Sequence, residues 1–141
     1  MSKKTVVFDF DGVIHRYSKG WQDGSIYDKP TEGIYEVLGQ LKQKNYEIVI
    51  VSTRCSTDEG MSEINDWLER YGLNGLIDKV CKEKPPAMVY VDDRAIKFDG
   101  NNIGSLVSQI ENFKTWQQIE HIKDDINTVD NWVKKFGLDK N

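Results

Sequence analysis

Three short stretches of the chain, residues 6–10, 48–51 and 88–91, are apolar at nearly every position, the first broken by Asp9. Each is rich in β-branched or aromatic residues, the pattern of a strand covered on both faces in a parallel sheet. A shorter apolar stretch, 76–80, is a candidate fourth strand. Between these stretches the period changes to that of a helix. Ile34, Val37, Leu38 and Leu41 follow Pro30 at i, i+3, i+4 and i+7, which predicts an amphipathic helix beginning shortly after the proline. Ser56 and Glu59 have capping-box spacing, ahead of a stripe of Met61, Ile64, Leu68 and Tyr71 that stops at Gly72. A third stripe joins Ile103, Val107, Ile110 and Phe113. Strands alternating with helices predict an α/β fold: one doubly wound domain, residues 1–141, with a mostly parallel sheet and helices on both faces. Its core spans about residues 5–113.

The C-terminal segment has another rhythm. Ile119, Ile122, Ile126, Val129, Val133 and Phe136 alternate steps of three and four, predicting a helical extension over about residues 117–136. Fewer than three heptads is thin support for a coiled coil. Large aromatics at helical spacing, here Trp116 and Trp132, belong more often to a core. The expectation is a helix packed on its own domain in a monomer, with a dimer seam as the alternative.

Composition narrows the classes. A chain of 141 residues, 38% hydrophobic and 30% charged, suits one ordinary globular domain. A net charge of −4 disfavours non-specific nucleic-acid binding, which rewards a basic face. Cys55 and Cys81 show neither CxxC spacing nor a neighbouring histidine, so reduced thiols in the cytoplasm are expected rather than a disulfide framework or zinc site. Asp9 and Asp11 interrupt the first apolar stretch too early for a secretory leader, and nothing approaches the roughly 20 apolar residues of a membrane helix.

The chemistry lies at the strand ends. The first strand runs into Asp9-Phe10-Asp11-Gly12, the second into Ser52-Thr53-Arg54 and the third into Asp92-Asp93-Arg94, with Lys84 just before it. Parallel strands bring such ends to one edge, where open α/β sheets place their sites. Four carboxylates gathered there repel one another, by roughly 4 kcal/mol for a pair about 4 Å apart at an effective dielectric of 20. Mg2+ relieves that repulsion without protonation, because it takes hard oxygen ligands and leaves positions for a phosphate.

The same residues resemble the motifs of the haloacid dehalogenase-like (HAD) hydrolase superfamily. Phe8-Asp9-Phe10-Asp11-Gly12-Val13 is similar to its first motif, Ser52 to its second, Lys84 before Pro85 to its third and Tyr90-Val91-Asp92-Asp93 to its fourth. They stand in family order across about residues 5–113. The resemblance implies a small, capless phosphatase with Asp9 as the nucleophile that forms an aspartyl-phosphate. It makes Asp11 the general acid and then base, Ser52 a holder of a phosphoryl oxygen and Lys84 the neutralising cation. It gives Mg2+ to Asp9, Asp92, the backbone carbonyl of Asp11 and, directly or through water, Asp93. Thr53 competes with Ser52, and Lys82 with Lys84, within a small shift of register. Arg54, Arg94 and His15 are candidate substrate contacts, Arg54 and Arg94 equally ion-pair partners and His15 equally a surface loop residue. No chemical role is expected of His121.

Other classes fit less well. A response-regulator receiver domain would need its adjacent acids after the first strand, whereas here they come last. A Walker-type glycine-rich loop is absent from the sequence. A phosphotransferase or phosphomutase on the same scaffold, or a non-catalytic partner-binding relative, remains the alternative. The roughly 40 residues between Asp11 and Ser52 hold a helix and a loop but no cap domain. That loop carries His15, Arg16, Tyr17, Lys19 and Trp21, as a solvated turn or as a flap over a leaving group. The expected partner is a phosphorylated substrate, small or macromolecular.

Overall fold

In a computed structural model, which describes residues 4–124 and 126, four strands form one all-parallel sheet. They are β1 (Thr5–Asp9), β2 (Glu47–Val51), β3 (Lys79–Cys81) and β4 (Val89–Val91), in the order β3-β2-β1-β4. Phe8 lies opposite Ile50 on one side and Val91 on the other, and Val51 lies opposite Cys81. The residues fall into two compact units, Met1–Asp93 and Arg94–Asn141.

In the first unit, successive side chains of β1 and β2 point to opposite faces. Val6, Phe8, Ile48 and Ile50 pack with Leu38 of α1 (Ile34–Gln43) and with Ile64, Trp67 and Leu68 of α2 (Asp58–Arg70). Val7, Val49 and Val51 form a second cluster with Cys81 and Ala87. Side chains on both faces of the two central strands are therefore buried, as their apolar runs predict. β4 is different: it lies at the edge of the sheet and all three of its residues are exposed.

Other expectations shift by a few residues, for local reasons. The fourth strand begins at Lys79, because Asn74–Leu76 form a 3-10 turn. Asp78 then ties that entry to β2, its carboxylate accepting from the Ile48 N–H (2.8 Å) and from Lys42 Nζ (2.6 Å). At α2 the cap is Thr57, not Ser56: the Thr57 hydroxyl accepts the Gly60 N–H at 3.0 Å. Ser56 instead ends a 3-10 turn, Thr53–Ser56, set by the Ser52 hydroxyl accepting from the Arg54 N–H.

The topology positions the site. β1, β2 and β3 succeed one another across the sheet with α1 and α2 packed on one face, and the chain then returns to place β4 on the far side of β1. The β3–β4 connection, residues 82–88, contains no helix. The crevice where strand order reverses lies beyond the C-terminal ends of β1 and β4, where ligands collect in open parallel sheets.

In the second unit a 3-10 turn, Asn102–Ser105, leads into a short helix α3 (Leu106–Glu111). Ile103, Val107 and Ile110 of the predicted stripe are exposed, while Phe113 is half-buried. Residues 116–124 are helical, with Ile119 and Ile122 exposed. The remainder of the predicted seam, Val129, Val133 and Phe136, and Trp132 with it, lies outside the described residues. Among the described residues no helix is long and apolar enough to cross a membrane.

Candidate active site

β1 delivers Asp9 at its last position, and the chain then folds back on itself. The carbonyl of the buried Phe10 accepts from the N–H groups of Ile14 (3.0 Å) and His15 (2.9 Å). Gly12 closes this turn with a φ of 88°, a left-handed conformation open to glycine at no steric cost. β4 delivers Asp92 and Asp93 just beyond its end. Oxygen atoms from Asp9, Asp92 and Asp93 all lie within 4.8 Å of one another. Burial, a hydrogen bond shared with Asp93 and the charges of Asp92 and Asp93 together push the Asp9 carboxyl up to about 8. Asp93 Oδ1 is buried without a hydrogen-bond partner. Lys84 Nζ stands 3.3 Å from Asp92 Oδ2 and lies over the Tyr90 ring, so Lys84, itself exposed, reaches the acidic group.

Three carboxylates thus gather where four were expected. The Asp11 side chain belongs to a separate network. Its Oδ1 accepts from His15 Nδ1 (2.8 Å) and Arg54 Nη2 (3.2 Å), and its Oδ2 accepts from Arg54 Nε (2.8 Å). Burial alone would raise the Asp11 pKa, but the hydrogen bonds from His15 and Arg54 and the charge of Arg54 outweigh it and hold the carboxyl below its ordinary value. Arg54 Nη1 donates to the Gly24 carbonyl at 2.5 Å. Arg54 is therefore the ion-pair partner that was one of its two expected roles.

His15 is not a surface loop residue. It is 0% exposed, boxed by the rings of Phe10, Tyr17, Tyr27 and Trp67. Ser52 is buried past the end of β2. Because its oxygen accepts from Arg54, its own O–H remains to donate; Thr53 beside it is exposed. Arg94 and His121 lie in the second unit, both exposed. A groove of about 380 Å³ adjoins Arg54, walled by Trp21, Gly24, Thr53, Glu59 and Glu63.

One positioning residue escaped the sequence reading. Gly60 sits in the first turn of α2, where a glycine looks like a mere weakness. A Cβ there would collide with the Arg54 carbonyl. The close approach lets the 53–56 turn tuck under α2 and sets where Arg54 begins. We expect Gly60→Ala to lower thermal stability, since backbone is the obstacle and no rotamer relieves it. Thermal denaturation checks this, and a wild-type melting temperature would refute it.

No family model, curated protein or solved structure matches the chain.

Proposed function

We propose that this chain is a magnesium-dependent phosphohydrolase that cleaves a phosphomonoester through an aspartyl-phosphate on Asp9, on a HAD-like, doubly wound scaffold. The observation that carries the proposal is the meeting of Asp9, Asp92 and Asp93, with Lys84 beside them, at the strand-order reversal between β1 and β4. The donor set fits Mg2+: the ligand atoms are hard oxygens, one of them, Asp93 Oδ1, is buried and unpartnered, and the trio is too crowded to ionise fully alone. Asp9, Asp92, Asp93 and the Asp11 carbonyl would hold the ion. When bound, Mg2+ supplies positive charge beside the transferring phosphoryl oxygens.

The chain's own groups supply the rest. Asp9 attacks phosphorus and the leaving oxygen departs with the P–O electron pair, taking its proton from solvent, because Asp11, expected as the acid, is held ionised by His15 and Arg54. Lys84 and the Ser52 O–H hold phosphoryl oxygens, placing fixed charge and dipole where negative charge must be held. Asp11, ionised by its partners, is ready as a base toward water. The free thiols Cys55 and Cys81 agree with a reducing compartment such as the cytoplasm.

The test is release of inorganic phosphate from a set of phosphomonoesters, small and polymeric, with Mg2+ and with chelator. Turnover with Mg2+, lost on stripping the metal, supports the proposal. Phosphoryl transfer without free phosphate would make the chain a transferase, and no chemistry on any member would return it to a binding role.

A further inference from the structure

The ring of His15 is held in one tautomer. Its Nε2 lies 3.0 Å from the backbone nitrogen of Asp28 and accepts that N–H, so the ring proton sits on Nδ1 and is donated to Asp11 Oδ1 at 2.8 Å. Four aromatic rings surround the imidazole, and Trp67, 1% exposed, is itself fixed by donating Nε1–H to the Asp28 carbonyl at 3.0 Å. On the opposite side, Arg54 forks onto Asp11 and is anchored to the Gly24 carbonyl. Both supports are thus tied to the loop that precedes α1, and Asp11 cannot turn without breaking three hydrogen bonds.

We propose that His15 is a positioning residue for the hydrolytic half-reaction: with Arg54 it fixes Asp11 as the base that takes a proton from the water attacking the Asp9 phosphoanhydride. The inference rests on the function proposed above and adds to it a residue with its own role. In that step the water oxygen bonds to phosphorus and its proton passes to Asp11. The phosphorus–oxygen bond to Asp9 breaks, and its electron pair returns to the Asp9 carboxylate. Asp11 then releases the proton to solvent. A base one ångström out of place forfeits much of its rate, so orientation is where such a residue acts.

Rapid-quench kinetics on 4-nitrophenyl phosphate with Mg2+ separates the two half-reactions. In His15→Gln the side chain no longer offers a donor at the Nδ1 position. The expected result is a burst of nitrophenol near one per active site, followed by a steady state about 10 to 100-fold below wild type. The phosphoryl adduct then accumulates in acid-quenched protein, visible by intact mass. His15→Asn places an amide N–H near the Nδ1 position and should recover most of the loss. If His15→Gln does not fold, Arg54→Gln, which removes the other support, carries the same expectation. Burst and steady state falling together, or neither changing, would overturn the positioning role. Failure of the underlying reading looks different: wild type then releases no phosphate, or Asp9→Asn turns over as wild type does.

Discussion

Asp9→Asn should remove phosphomonoester turnover by about 10^4-fold or more, because an amide oxygen neither carries the charge nor forms the acyl-phosphate. The substitution is nearly isosteric, and β1 remains paired on both sides, so the fold should persist. Stability is expected to move the other way. In wild type without divalent cation, Asp9 is crowded by Asp92 and Asp93 and holds a proton to about 8. An amide cannot ionise, so the variant escapes that repulsion near neutral pH. A residue that costs stability where it stands, and abolishes turnover when neutralised, is one kept for chemistry. Phosphate release measured beside thermal denaturation at pH 8 in chelator gives both signs. Near-wild-type turnover would end the nucleophile assignment. A variant without turnover but also markedly less stable than wild type would make Asp9 a structural residue instead.

What could be read from the sequence follows from how local each signal is. β1 and β2 were legible because both faces of each are buried, which leaves unbroken apolar runs. The meeting of Asp9 with Asp92 and Asp93 was legible because parallel strands carry their ends to one edge whatever the loops do. β4 has the same composition, yet it is an exposed edge strand; an apolar run reports strand propensity, not its place in the sheet. The shift of the α2 cap by one residue depends on the Ser52–Arg54 turn, which competes for Ser56. Harder still were His15, Arg54 and Gly60. Arg54 lies 43 residues from the Asp11 it holds, and Trp67, which walls His15, lies 39 residues from the Asp28 carbonyl that fixes it. Neither spacing has a period a sequence can display. The lone hint was compositional, a histidine and an aromatic-rich loop directly after the first motif.

Removing divalent cation should abolish turnover and leave a protein whose stability falls as pH rises from 5 to 8. The Asp9 carboxyl is raised from 3.8 to about 8, so between those values the native state keeps a proton that the unfolded chain has lost. Stability from this group is full below 3.8 and is lost as pH climbs through about 8. Asp11 acts in the opposite sense and elsewhere: its lowered pKa favours the native state above 3.8, and that contribution disappears only as pH falls below it. Of these two carboxyls, only Asp9 changes protonation in the native state between pH 5 and 8. In chelator the melting temperature should decline across that window. Mg2+ binds the deprotonated trio, so its affinity rises as the proton leaves. At 100 times its Kd the ion adds about 2.7 kcal/mol, on the order of 10 °C for a chain of this length. The gap between Mg2+ and chelator curves should thus widen from pH 5 to pH 8. Asp93→Asn should narrow it, since that change removes one of the three carboxylate charges available to the ion. Thermal denaturation over this pH series decides the matter. A melting temperature indifferent to Mg2+ at pH 8 would mean that the trio holds no metal, and one that rises with pH in chelator would mean that Asp9 does not keep its proton.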